Sequence, residues 1–159
     1  MNEIAFTKVD LPFGWLGNMS DFPIRHEGVL FKNSEMLFQF LRFSGFPEIQ
    51  KEIFNQKSPM AVKMIANKHK HNLVNTGYEL MGENDVNLMK MVLMEKIRNH
   101  PRLKKMLVET EDRLIIEDCT KRKGGSGKFW GASLESGKWE GKNILGKLWM
   151  EIREDLKTV

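Results

Sequence analysis

Cysteine is nearly absent: the 159-residue chain carries one, Cys119. An intramolecular disulfide is therefore excluded, and so is a zinc site built on several thiolates. A lone thiol suits a reducing compartment. Long apolar runs are missing too, since none approaches the ~18–20 residues that cross a bilayer. The opening residues, Met1-Asn2-Glu3-Ile4-Ala5-Phe6, lack the basic flank and apolar stretch of a secretory signal. A cytoplasmic protein with no membrane partner is expected.

Recognisable metal and triad clusters are also lacking. In His69-Lys70-His71 the two rings fall on opposite faces of a strand, or far apart around a helix, with no carboxylate pair nearby. No metal site is expected there. Neither His26 nor His100 has a serine or cysteine partner in the pattern of a nucleophilic hydrolase. Glu117 and Asp118 precede Cys119, and their charge raises rather than lowers a thiol pKa.

What is present fits one compact domain over residues 1–159. Hydrophobic residues make up 41% of the chain, enough for a core, and the net charge is +4. A surplus that small favours anionic partners only weakly.

The pattern predicts an α+β fold, predominantly helical, with a small sheet or hairpin. Phe22 to Phe31 reads as a hairpin turning at Glu27-Gly28. A helix follows, capped by Ser34 and closed near Gly45, with Met36, Leu37, Phe38, Phe40, Leu41 and Phe43 inside it. Further helices are expected from Pro47, from Ser58-Pro59 to about Lys68, from Asp85 through Ile97, and from Pro101. Arg113 to Glu117 is a strand candidate, and Lys121 to Lys128 a glycine-rich basic loop. A final helix runs from Asn143 with Ile144, Leu145, Leu148, Trp149, Ile152 and Leu156 on one side.

Three features could carry chemistry. The helix after Ser34 is apolar nearly all round, except for a stripe of Glu35, Gln39 and Arg42 at four- and three-residue steps. That stripe is either a solvated edge or the lining of a cleft, and spacing leaves both open. Lys63 lies among Met60, Ala61, Val62, Met64 and Ile65. There a lysine either snorkels to water or is desolvated into a nucleophile. Lys121 to Lys128 fails the phosphate-loop pattern, since Arg122 takes the place of its first glycine and Phe129 that of its Ser/Thr. It remains a basic loop able to touch a phosphate, or simply a solvated one.

Taken together, several segments resemble the NADAR/YbiA-like superfamily. Phe13-Gly14-Trp15-Leu16-Gly17-Asn18 is similar to its Phe-x-x-Leu-Ser-Asn, and Ser34-Glu35-Met36-Leu37-Phe38-Gln39 to its Ser-Glu-His-x-Phe-Gln. Lys63 falls at the lysine of its Ala-Lys segment, and Trp130-Gly131 at its Trp-Gly element. Asn143 to Arg153 matches the closing Asn-x-Leu-Gly-x-x-Leu-Met-x-x-Arg. Departures are Gly17 for serine, Val62 for alanine, Ala66-Asn67 for Gly-Arg, and Gly127-Lys128 where an acidic residue often precedes Trp-Gly.

The resemblance implies an N-glycosidase that breaks a ribose–base C–N bond without metal or other cofactor. Its implied substrate is ADP-ribosylated guanine in DNA, RNA or nucleotide. The alternatives are a small ribosyl phosphate of early riboflavin synthesis, or a non-catalytic binder of ADP-ribose or nucleic acid. Glu35 and Lys63 are the implied catalytic pair. Asn18, Gln39, Trp130, Gly131, Asn143 and Arg153 are the implied substrate contacts. Plainer roles stay open for Trp130 as core, Asn143 as helix cap, and Arg153 as a tie between helix and core through a carboxylate. Trp15 is a further stacking candidate.

Overall fold

The computed structural model describes residues 3–158. Along the chain, β1 (Ile4–Phe6) and a 3-10 turn (Gly14–Leu16) precede a hairpin of β2 (Ile24–His26) and β3 (Val29–Phe31). Then come α1 (Ser34–Arg42), α2 (Pro47–Phe54), α3 (Pro59–Asn75), α4 (Glu83–Asn99) and α5 (Pro101–Val108). The chain continues through β4 (Ile115–Glu117), the short α6 (Gly127–Trp130), a hairpin of β5 (Ser133–Glu135) and β6 (Lys138–Glu140), and α7 (Ile144–Lys157). The fold is α+β and mainly helical, and its strands form three separate two-stranded sheets. Among the described residues no helix is long and apolar enough to cross a membrane. The chain gathers into two compact units, Asn18–Asn99 and the segments on either side of it.

In the unit from Asn18 to Asn99, the first hairpin turns where expected. Glu27 and Gly28 both take positive φ, 49° and 80°, the mirror-image turn that suits strand twist. The cap of α1 is Asn33 rather than Ser34: extended backbone lets its side chain accept from Met36 N at 2.9 Å. The Ser34 hydroxyl instead donates to Asn18 O at 3.2 Å. Helix α1 stops at Arg42, before Gly45, with Phe43 leaving helical backbone at φ -95° and ψ 32°. Helix α3 runs to Asn75 rather than Lys68, keeping Val62, Ala66 and Leu73 on one buried face. Glu52 of α2 pairs with His69 on the added turn at 2.9 Å. Phe31, Phe40 and Phe54 meet edge to face, with centroids 5.0 to 6.1 Å apart, and pack hairpin, α1 and α2 together.

In the other unit, β1 pairs in parallel with β4, setting Ile4 against Ile115 and Phe6 against Glu117. Helix α7 packs on β4 so closely that a Cβ at Gly146 would lie 2.2 Å from Ile115 O. Glycine is therefore required inside that first turn. Trp149 is fully buried and donates its Nε1–H to Leu16 O at 2.9 Å. Trp15, a stacking candidate, is buried and packs edge to face against it at 6.2 Å. The β5–β6 hairpin, turning at Ser136-Gly137 with φ of 50° and 80°, was not expected. Asn143 sits at the start of α7 in left-handed backbone, φ 51°, and its side chain makes no cap.

Candidate active site

Helix α1 aims its polar stripe inward. Glu35 is 8% exposed and Gln39 6%, so neither lies on a solvated edge. Gln39 Nε2 donates to Glu35 Oε2 at 2.9 Å, while its Oε1 accepts a longer bond from Arg42 Nη1 at 3.4 Å. Those two bonds fix which end of the Gln39 amide faces the carboxyl. Arg42 is itself held by a two-pronged pair with Asp85 of α4, 3.0 and 2.6 Å. Asp85 is fully buried and accepts further bonds from Tyr78 Oη and Met81 N. Burial, then the bond and charge of Asp85, push the Tyr78 phenol up to about 12, so Tyr78 is a committed donor. A continuous relay thus runs from Tyr78 through Asp85, Arg42 and Gln39 to Glu35.

Burial raises the Glu35 carboxyl above its ordinary range. The Gln39 bond and the charges of Lys63 and Arg42 oppose that rise but do not cancel it. Lys63, half-buried on α3, therefore lies within electrostatic reach of Glu35, because α3 packs against α1. An amine that the sequence separates from the carboxyl by most of two helices acts on it.

Asn18 completes this group. Its backbone O accepts from Glu35 N at 3.0 Å, which ties the loop to the start of α1. Its Nδ2 reaches Met89 Sδ at 3.2 Å. Its Oδ1 is buried and has no hydrogen-bond partner among the described residues, an arrangement that costs free energy unless a ligand or water fills it.

The other four expected substrate contacts belong to the second unit. Trp130 is partly exposed on α6, edge to face with Phe129 at 4.8 Å. Gly131 permits a close approach, since a Cβ there would lie 2.4 Å from Glu117 O. Asn143 uses its amide as a strand edge, accepting from Glu117 N at 3.0 Å and donating to Ile115 O at 2.9 Å. Arg153 is 5% exposed. Its Nη1 donates to Thr110 Oγ1 and Arg113 O, both at 2.9 Å, so a hydroxyl and a carbonyl, not a carboxylate, tie α7 to the core. Among the described residues no group of three His, Cys, Asp or Glu could hold a metal.

A NADAR domain matches residues 5–157. The chain belongs to the NADAR family. It is 29% identical over 154 residues to the N-glycosidase YbiA of Shigella boydii, covering 96% of this chain and 88% of that protein. It is 33% identical over 99 residues to an N-glycosidase of Acanthamoeba polyphaga mimivirus, covering 57% and 46%. The NMR structure of Escherichia coli YbiA superposes with a TM-score of 0.75 at 25% identity, over 98% of this chain and 84% of that one.

Within this NADAR domain, three buried or half-buried polar residues, two of them in the relay, had no signal of their own in the sequence. Asp85 reads there as the start of a helix, and nothing links it to Arg42. Tyr78 falls between the helices expected from Ser58-Pro59 and from Asp85. Lys96 is invisible as a buried lysine, yet it is fully buried, donates to Ser20 Oγ at 3.0 Å and lies 5.4 Å from the Phe22 ring centroid. Burial pulls its pKa down to about 7. Cys119, by contrast, is buried, and burial followed by Glu117 raises its thiol pKa, which makes it an inert packing residue.

Proposed function

We propose that this NADAR-family N-glycosidase releases ADP-ribose from ADP-ribosylated guanine, with Glu35 and Lys63 as the reacting pair. The observation that carries the reading is a buried carboxyl whose proton affinity is raised, oriented by Gln39 and within electrostatic reach of an amine from a second helix. Breaking a ribosyl C–N bond builds positive charge on the sugar and negative charge on the leaving base. A carboxyl raised by burial holds a proton for that base, and the carboxylate left behind stabilises the cationic sugar.

The steps balance. The electrons of the C1–N bond leave with guanine, which takes the Glu35 proton. The Lys63 ammonium passes a proton to the Glu35 carboxylate, and its freed nitrogen adds to C1. A nitrogen proton moves to the ring oxygen as the sugar opens to a protonated imine, which water hydrolyses to free ADP-ribose and the starting ammonium. The unfilled Asn18 Oδ1 supplies an acceptor for a substrate hydroxyl or N–H.

The test uses wild type, Glu35→Gln and Lys63→Ala. Each is incubated with an ADP-ribosylated guanine oligonucleotide and with a ribosyl-phosphate intermediate of riboflavin synthesis, and the products are read by mass spectrometry. Wild type should release ADP-ribose from the first, and each variant should be slower by at least about 100-fold. An intact adduct, or release from the riboflavin intermediate alone, would overturn the reading.

A further inference from the structure

Arg42 stands three residues after Gln39 on α1, and its guanidinium carries donors and no acceptor. Beside an anionic substrate such a group suits a phosphate, which it grips with two parallel bonds. Here the structure commits it elsewhere. Its Nε and Nη2 meet Asp85 at 3.0 and 2.6 Å, and its Nη1 reaches Gln39 Oε1 at 3.4 Å. The Phe38 ring packs against it, with the guanidinium carbon 5.4 Å from the centroid. Asp85 is fully buried and also accepts from Tyr78 Oη and, at 2.7 Å, from Met81 N. Both of those donors belong to the turn between α3 and α4, so that turn holds the arginine in place.

The two ends of a glutamine amide are alike in shape and opposite in chemistry. The NH2 end, which meets Glu35 at 2.9 Å, favours the carboxylate. The oxygen end would accept from the protonated carboxyl and favour the acid. Turning the amide over would set its NH2 against Arg42 Nη1, donor against donor. Arg42 therefore excludes the second orientation while Asp85 keeps it there. The charges that act on Glu35 are those of Arg42 and of Lys63 from α3, whose other ionisable groups, Lys68 to His71, lie more than a turn further along. Besides Asp85, α4 carries Glu83, Lys90, Glu95, Lys96 and Arg98; Glu95 pairs with His26 and Arg98, and Lys96 donates to Ser20 Oγ. Helix α2 carries Glu48, Lys51 and Glu52, the last paired with His69, and β3 carries none.

We infer that Asp85 is a positioning residue for Glu35: through Arg42 it fixes which end of the Gln39 amide meets the carboxyl, and it withholds Arg42 from the phosphates of the substrate. Fully buried, Asp85 is out of reach of substrate, so its effect arrives through two intervening side chains. The fixed amide stabilises the carboxylate that remains once Glu35 has given up its proton, the form that meets the cationic sugar. The inference deepens the proposed function and rests on it in taking Glu35 as the acid.

The test uses Arg42→Met/Asp85→Asn, which leaves no buried charge unpaired and offers Met81 N and Tyr78 Oη an amide in place of the carboxylate. The protonation midpoint of Glu35 is read by NMR from its carboxyl carbon, assigned by its loss in Glu35→Gln, and needs no substrate. In the double variant the amide is free to turn, and the midpoint should rise by at least about half a pH unit. The same two changes in a Gln39→Leu background should move it much less, since no amide remains to turn. Arg42→Lys keeps a donor-only cation and should stay closer to wild type than to the double variant. On the ADP-ribosylated guanine oligonucleotide, the kcat/KM limb of the double variant should follow the midpoint while KM stays within about threefold of wild type.

Equal midpoints in wild type and the double variant would overturn the inference, as would a lysine variant displaced as far as the double variant. So would an equal shift in both backgrounds, which would mean that the Arg42 charge acts on Glu35 directly. A KM raised by about tenfold or more would show Arg42 binding phosphate and would overturn it too. If the midpoints move as expected but wild type leaves the adduct intact, the proposed function fails and the positioning role stands. If wild type cleaves the adduct and the midpoints coincide, the positioning role fails alone.

Discussion

Gln39 presents its amide N–H to Glu35 across one turn of α1, 2.9 Å from Oε2. That bond favours the carboxylate, so it works against the burial that raises the Glu35 pKa. The balance between the two sets the proton affinity of the group proposed to act as acid.

Removing the donor should therefore move the pH profile. Gln39→Leu leaves burial in place and deletes the opposing bond, so the limb of kcat/KM that reports Glu35 should shift to higher pH. A pH–rate profile on the guanine adduct checks this. A limb that stays where it is in wild type would mean that Glu35 is not the group titrating.

Glu35→Gln should separate stability from turnover. The folded pKa lies above the ordinary glutamate value of 4.5, so the native state binds the extra proton in that window. Stability from this site is present at acid pH and is lost as pH rises from 4.5 through the raised native value. The amide cannot ionise, and its oxygen still accepts from Gln39. Thermal unfolding at about pH 5 and about pH 8 should show wild type losing more stability than the variant, while the variant's turnover falls by at least about 100-fold. Parallel stability curves for the two proteins would refute the assignment.

Asp85 holds the far end of the relay. It is fully buried and pairs with Arg42 at 2.6 Å. Asp85→Ala would leave a guanidinium, a phenol and an N–H without their acceptor. Breaking a buried pair from one side costs on the order of 3 kcal/mol, and urea denaturation should read that loss. Tyr78→Phe removes one bond only and should cost about 1 kcal/mol.

Lys96 gives the opposite pH dependence to Glu35. Its folded pKa is about 7 against the ordinary lysine value of 10.5, so the unfolded chain binds the extra proton between those values. The cost of burying it is full below about 7 and fades as pH rises toward 10.5. Lys96→Met keeps the volume and deletes the titration. The variant's advantage in melting temperature over wild type should shrink steadily from about pH 7 to about pH 10. A difference that does not change across that range would show that Lys96 does not titrate there.

Much of the local architecture was legible before any coordinates. Pro47, Ser58-Pro59 and Pro101 start helices where expected, and Glu27-Gly28 turns a hairpin, because proline geometry, caps and positive φ act within a few residues. Ser136-Gly137, the turn of the second hairpin, carries a signal of the same kind. Neighbouring polar residues were harder to rank. Asn33 and Ser34 are both good caps; in the structure Asn33 caps α1 while the Ser34 hydroxyl donates to Asn18 O.

The sequence by itself determined the helical content, the turns, the family and the inventory of ionisable groups, since each is written in residue type and short spacing. Tertiary structure alone decided that β1 lies beside β4, that Arg42 meets Asp85, that Asn143 serves a strand edge, and that Lys63 acts on Glu35. Such pairings depend on which buried surfaces pack together over tens of residues, and burial is what changes a carboxyl's affinity for its proton.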